Sequence, residues 1–310
     1  MKQIIKNILK NFGINRDSFI YKILKLLNPF IYLQLLKFIL DNYKTFKDKL
    51  ELLLNYINHK KVKPKHLFYG QLTSKRSVDM LNEIDKQILA YKKTNKNKFI
   101  FIEIGNYLGE SLDLFGERIH YLLKDNYLII SIDPYSHHLS DEEKSLSKNS
   151  TNSLINKNIT KIYNYFMNNI SNSNYKHNHF HLRMKSDKAF ELLKSFNIKI
   201  DFCYIDGNHY YENFKSDFLN YNSILKNTDS YKGKISGDDY ELTFDEVKEI
   251  YDISETEAFS ILKNNKKIDY LNMLNKNNIN QGFHPGITLL FKEIDENIKK
   301  FESGFWIKNS

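Results

Sequence analysis

Two short stretches gather residues able to do chemistry together. Asp206-Gly207-Asn208-His209-Tyr210-Tyr211-Glu212 closes one apolar run, and Gly237-Asp238-Asp239-Tyr240 closes another. Asp206, Asp238 and Asp239, at the ends of neighbouring parallel strands, would converge on one spot and suit a hard ion such as Mg²⁺. Adjacent acids repel one another, and a divalent ion relieves that repulsion. A third stretch, Phe99-Ile-Phe-Ile-Glu103-Ile-Gly105-Asn-Tyr-Leu-Gly109-Glu-Ser111, ends an apolar run in a carboxylate followed by two glycines. The spacing Glu-x-Gly-x-x-x-Gly differs from the Gly-x-Gly-x-x-Gly pyrophosphate fingerprint. A carboxylate at the strand end would repel a pyrophosphate and suits a cationic ligand instead. In Asp133-Pro134-Tyr135 the acid can take both hydroxyls of a ribose and Tyr135 can cover an adenine, although Asp-Pro is also a common turn opener.

Weaker signals flank these. His177, His179 and His181 alternate and so share one face of an extended segment; with no fourth ligand in view, an exposed strand edge is preferred to a metal site. Lys185-Ser186-Asp187 opens a helix over Lys188 to Ser195, with Ser186 as its N-cap and a contact to the adenine edge as the functional reading.

The elements that must position these groups follow from periodicity. Runs of β-branched and aromatic residues at Phe99 to Ile104, Tyr127 to Ile132 and Ile200 to Ile205 predict strands buried on both faces, and Gly233 to Tyr240 predicts a short one. Helical spacing predicts helices over Ser77 to Lys92, Ser111 to Leu123, Leu154 to Ile170 and Asn213 to Leu225. A last helix is predicted over Gly286 to Phe301 and a last strand over Gly304 to Lys308. Strand, helix and strand in alternation, with acids at the strand ends, is one half of a doubly wound sheet.

Composition bounds the rest. The 310 residues are 41% hydrophobic and 27% charged, enough for one substantial core and an appendage. Of only 11 glycines, five (Gly105, Gly109, Gly207, Gly233, Gly237) fall in the proposed active-site loops. The single Cys203 lies in a strand-like run, which rules out a disulfide framework and fits a reducing compartment, so a cytoplasmic location is expected. Residues 1–65 carry 14 Lys/Arg against 4 Asp/Glu, so the basic balance belongs to that segment, and no nucleic acid is expected at the catalytic region. Its apolar residues recur at helical spacing but are too often interrupted, by Lys22, Lys25, Asn28, Pro29 and Lys37, to span a membrane. A basic amphipathic helical extension over 1–75 is expected, packed on the main domain or on a second subunit of a homo-oligomer. Peripheral contact of 1–65 with the inner, anionic membrane face is the sharper reading.

Taken in order, Glu103-Ile-Gly105-x-x-x-Gly109-x-Ser111, Ile132-Asp133-Pro134-Tyr135, Tyr204-Ile-Asp206-Gly207-Asn-His209-x-Tyr211-Glu212 and Gly237-Asp238-Asp239-Tyr240 resemble a class I S-adenosylmethionine (SAM)-dependent methyltransferase of the Methyltransf_24 type. That group is similar to metal-dependent sugar (macrocin-type) and catechol O-methyltransferases. The resemblance implies an α/β fold with a doubly wound, mostly parallel, seven-stranded Rossmann-like sheet over 76–310, behind the N-terminal helical extension. Residues 241–285, which the motifs do not cover, would be a substrate-side insertion. It further implies that Glu103 and Asp133 hold SAM, that Gly105 and Gly109 let it approach the backbone with Ser111 of the same motif also on the cofactor, and that Asp206, Asp238 and Asp239 bind Mg²⁺ or a similar divalent cation. His209 matches the position of the general base.

The expected reaction is methyl transfer from the sulfonium to a hydroxyl of a sugar, glycan or similar small molecule, with a phenolic or natural-product acceptor next. Metal-dependent hydroxylase or hydrolase chemistry on the same carboxylates stays open. A membrane-associated scaffold with a vestigial site also stays open, although the presence of every carboxylate together with His209 argues against it.

Overall fold

The computed structural model describes residues 72–94, 97–136, 151–294 and 297–309. The basic segment 1–65, and with it the expected membrane or subunit contact, lies outside the described residues, as does nearly all of the 1–75 extension. Among the described residues no helix is long and apolar enough to cross a membrane.

In chain order, helix α1 (Ser74–Thr94) leads to β1 (Phe99–Ile104), α2 (Glu110–Leu123), β2 (Tyr127–Ile132), α3 (Thr151–Asn172), β3 (His179–Leu182) and α4 (Ser186–Ser195). Next come β4 (Phe202–Ile205), α5 (Tyr211–Ser223), the two-residue strands β5 (Asn227–Thr228) and β6 (Tyr231–Lys232), and β7 (Lys234–Gly237). The remainder is α6 (Phe244–Tyr251), α7 (Glu255–Asn264), the hairpin β8 (Leu271–Leu274) and β9 (Asn280–Phe283), α8 (Pro285–Glu293), β10 (Ile298–Lys300) and β11 (Trp306–Lys308).

Seven strands form the central sheet in the order β10-β11-β7-β4-β1-β2-β3, parallel except where β11 runs against both β7 and β10. The expected doubly wound, mostly parallel sheet is therefore present. From β1 the chain moves outward to β2 and β3, then returns to place β4 and β7 on the other side. The crevice beyond β1 and β4 is thus the switch point where such sheets take ligands. Register aligns the strand ends: Ile104 lies opposite Ile132 and Ile205, and Ile205 opposite Gly237. Gly105, Asp133, Asp206 and Asp238 therefore leave the sheet along one edge.

Side-chain alternation along the strands divides the core into two layers. Phe99, Phe101, Phe202 and Tyr204 pack with Phe115 of α2 and Met80, Ile84 and Ile88 of α1; Ile102, Ile104, Cys203 and Ile205 pack with Phe214 and Phe218 of α5 and Ile287 and Leu290 of α8. The Phe115 ring centre is 5.0 Å from that of Phe101 and 5.8 Å from that of Phe202. Each ring so buried is worth roughly 1.5–3 kcal/mol.

Two local expectations are corrected. The last helix stops at Glu293, and Ile298 to Lys300, expected to continue it, is the strand β10, because pairing with β11 gives its backbone partners and the ring of Phe301 packs 5.2 Å from that of Phe305. Ser186 is the first residue of α4 and not its cap: Lys185 takes the cap position without a side-chain bond, and the Ser186 hydroxyl serves the buried Asp217 carboxyl.

Candidate active site

At the end of β1 the chain turns sharply into α2. Gly105 has φ of +81°, and a Cβ there would stand 1.9 Å from the carbonyl oxygen of Asp206, so the β1 and β4 loops touch through a position only glycine can fill. Gly109, with φ of +83°, is the N-cap of α2. Glu103 is wholly buried on the sheet. One of its oxygens accepts from Ser111 Oγ at 2.9 Å and Asn106 Nδ2 at 3.2 Å, while Oε2 has no hydrogen-bond partner. Burial outweighs those two donors and pushes its carboxyl up to about 8. An orphaned, desolvated carboxylate oxygen is a standing demand for a cation or a donor.

Asp133 ties the first two strand ends together. Its carboxylate accepts the backbone N–H groups of Asn106 at 2.9 Å, Tyr107 at 3.4 Å and Tyr135 at 2.7 Å. The Tyr135 ring, expected to cover an adenine, is only 4% exposed: it is packed with Tyr163, Phe166 and His181, and its hydroxyl donates to the Tyr107 carbonyl at 2.8 Å. His179 and His181 share Ser131 Oγ, at 2.7 and 3.0 Å, and burial lowers both far below the usual imidazole value, to about 3 and about 4. Among the described residues the three alternating histidines are not gathered as a ligand set.

The second half of the site stands at the ends of β4 and β7. Asp206 has its N–H on the Ile104 carbonyl at 2.8 Å; burial, together with Asp239 and Asp238, holds its carboxyl well above the usual range. Asp238 is 2% exposed and spoken for: Arg76 Nη1 lies 2.6 Å from Oδ2, Tyr204 donates to the same oxygen at 3.2 Å, and the Asp239 N–H donates to Oδ1 at 2.8 Å. Asp239 has φ of +62°, a left-handed conformation that orients its carboxylate toward two imidazoles. His209 Nε2 is 3.6 Å and His284 Nε2 3.9 Å from Asp239 Oδ2. Burial pushes the Asp239 carboxyl up, but His284, His209 and Arg76 outweigh it, and the group is held below its usual value.

His209 is 6% exposed, and neither ring nitrogen makes a hydrogen bond; Nδ1 stands 3.4 Å from Asp269 Oδ1 in poor alignment. The His284 ring centre is 4.5 Å away, edge to face, with its Nδ1 on both Glu241 oxygens at 2.9 and 3.0 Å. Burial opposes a charge on His284, yet Asp239 and Glu241 raise it to about 9.

A cleft of about 290 Å³ separates the two halves, walled by the glycine loop from Asn106 to Ser111 on one side and by Asp206, Asp238, Asp239 and Arg76 on the other. Residues 102–240, which supply the glycine loop and the three aspartates of the cleft, match the family Methyltransf_24, a methyltransferase domain. Residues 102–240 carry a methyltransferase domain. No curated protein matches the chain. Solved structures that it resembles distantly include CalS11, a calicheamicin methyltransferase, at 12% identity over 81% of this chain and 90% of that one with a TM-score of 0.41. Others are the O-methyltransferase NovP, at 12% over 70% and 82% with a TM-score of 0.38, and the mycinamycin-pathway methyltransferase MycE in complex with Mg, S-adenosylhomocysteine (SAH) and mycinamycin VI, at 12% over 61% and 36% with a TM-score of 0.31.

The methyltransferase domain suits its cofactor on its own terms. SAM is a sulfonium with an ammonium, and the orphaned Glu103 Oε2, the unpartnered Asn106 Oδ1 and the acidic cleft wall are what a cationic ligand requires. Ser186 and Asp187 do not line the cleft; Asp187 lies exposed in the first turn of α4. For a divalent ion the fit differs from the expected one. Asp206, Asp238 and Asp239 are not assembled as one ligand set, because Asp238 is turned into the pair with Arg76. Among the described residues the set whose ligand atoms lie within 4.8 Å of one another is His209, Asp239 and His284. Arg76, Glu241, Asp269 and His284 escaped the sequence reading. His284 precedes Pro285-Gly286, a helix-start signal that carries no chemical information, and Arg76 is one cation in a basic stretch.

Proposed function

We propose that this methyltransferase moves the SAM methyl group to a hydroxyl of a sugar, glycan or similar small molecule, with His209 as the proton acceptor. The observation that carries the reading is a buried imidazole without a hydrogen-bonded ring nitrogen, beside Asp239 where the β4 and β7 loops meet. As the acceptor oxygen attacks the methyl carbon, the carbon–sulfur bond breaks, SAH leaves as a neutral thioether, and the hydroxyl proton passes to His209 Nε2. Asp269 faces Nδ1 and stabilises the imidazolium so formed. Glu103, Gly105, Gly109, Ser111 and Asp133 would hold the cofactor. Asp206 and Asp239, with Asp238 once Arg76 yields, would offer oxygens to Mg²⁺, which when bound lowers the hydroxyl's pKa.

A second reading of the ion is favoured by the His209, Asp239 and His284 cluster: two imidazoles and a carboxylate suit a borderline transition ion better than Mg²⁺. His209 is then a ligand, and Asp206 is left to take the proton.

The test is transfer of labelled methyl from SAM to panels of saccharides and phenols, followed by mass spectrometry, with metals removed by EDTA and restored singly. The first reading expects labelled sugar, recovery with Mg²⁺, and a loss of at least about 100-fold in kcat for His209→Gln with SAH binding kept. Recovery with Zn²⁺ or Mn²⁺ alone, abolished by His284→Ala, selects the second. Label on phenols alone would overturn the choice of acceptor.

A further inference from the structure

We infer that Arg76 receives the α-carboxylate of the cofactor's amino-acid end and so selects SAM against adenosyl ligands that lack that group; the inference rests on SAM as the cofactor. The cleft wall is unbalanced. Glu110, Asp206, Asp238 and Asp239 line it, and among the described residues Arg76 is the only Lys or Arg that does so. Such a wall suits the ammonium and sulfonium of SAM but repels its carboxylate. Like charges brought close together in a partly desolvated cleft repel strongly. A carboxylate therefore enters this cleft where a cation meets it.

Arg76 is already positioned for that task. It stands in the first turn of α1, its side chain 17% exposed, with Nε donating to the Ser303 carbonyl at 3.0 Å and Nη1 2.6 Å from Asp238. These two contacts fix the plane of the guanidinium. The other terminal nitrogen, Nη2, stands 3.7 Å from Asp239 Oδ1, beyond hydrogen-bond length. A guanidinium carries five N–H donors in a rigid fork, so contacts to Asp238 and Ser303 leave donors for a further carboxylate. Leu72, two residues before α1, lines the same cleft, so the chain entering α1 forms part of the pocket wall. Arg76 lies outside the matched segment 102–240 and belongs to none of the glycine or acid motifs.

The bland reading is that Arg76 only neutralises Asp238 and ties α1 to the end of β7. Calorimetry on the full chain separates the two, using SAH and its decarboxylated analogue S-adenosyl-3-thiopropylamine, which keeps the ammonium. Wild type should prefer SAH by at least about 10-fold, the scale of a charge-assisted hydrogen bond. Arg76→Gln should weaken SAH by about 10- to 100-fold and change the analogue by less than about threefold, so that the preference collapses. Arg76→Lys keeps the charge beside Asp238 and loses the fork; it should lose part of the SAH affinity alone, and it decides the matter if Arg76→Gln does not fold. Equal losses for both ligands, or a wild type without preference, would overturn the inference and leave Arg76 as a counter-ion. Failure of wild type to bind SAH at all would overturn the cofactor assignment itself, and the inference with it.

Discussion

The two walls of the cleft are built by opposite means. The glycine loop is held by backbone: Gly105 presses against the Asp206 carbonyl, and Asp133 gathers three N–H groups, one from Tyr135 close to it in the chain and two from the loop that follows the adjoining strand. The acid wall and the imidazoles beside Asp239 are held by side chains brought from afar: Arg76 from α1, Glu241, Asp269 and His284 from beyond the matched segment. A wall made of backbone tolerates no added atom at its glycines. A wall made of charges tolerates isosteric changes but pays for every partner left alone.

That contrast can be broken in order of expected effect. Gly105→Ala should be the most damaging, since its Cβ would meet the Asp206 backbone at a φ of +81°; a loss of about 2–4 kcal/mol in a urea melt and no measurable SAH binding by calorimetry are expected. Asp238→Asn comes next, at about 2–4 kcal/mol in the same melt, because it strands a mostly buried guanidinium. Asp239→Asn, whose side chain is 23% exposed and whose imidazole partners stand 3.6 and 3.9 Å away, should cost less than half as much. An Asp239 loss equal to that of Asp238 would erase the distinction between a structural and a functional acid.

Glu103 sharpens the comparison through pH. Its carboxyl is raised by burial from 4.5 to about 8. Between those values the folded protein keeps a proton that the unfolded chain has released, so stability falls as pH rises through the window and levels off above it. Glu103→Gln removes that slope and should gain about 3–4 kcal/mol on wild type between pH 5 and pH 8, read from melts at each pH. Parallel wild-type and variant curves would mean that Glu103 is ionised in the ligand-free fold. Smallest of all, Asp187→Ala should stay within about 0.5 kcal/mol of wild type and shift SAH affinity less than threefold, because the side chain is exposed and does not line the cleft.

What the sequence determined by itself is the sheet and its ligand edge. The apolar runs ending in Glu103, Asp133, Asp206 and Asp238 specify strands buried on both faces, and glycines at 105 and 109 specify the turn, since these are local consequences of side-chain alternation and backbone freedom. Even there, purely local reasoning failed where tertiary pairing competed. Ile298 to Lys300 has a helix-compatible pattern but gains more from pairing with β11, and Ser186 has the composition of a cap yet serves Asp217. Only the tertiary structure decided which acids share charge and with whom. Asp238 and Asp239 are neighbours with the same side chain, and the sequence treats them alike. Folding turns one to Arg76, 162 residues earlier in the numbering, and the other to His209 and His284. Coulomb interaction and desolvation depend on distance and burial in space, which chain spacing does not encode once several elements meet at one edge.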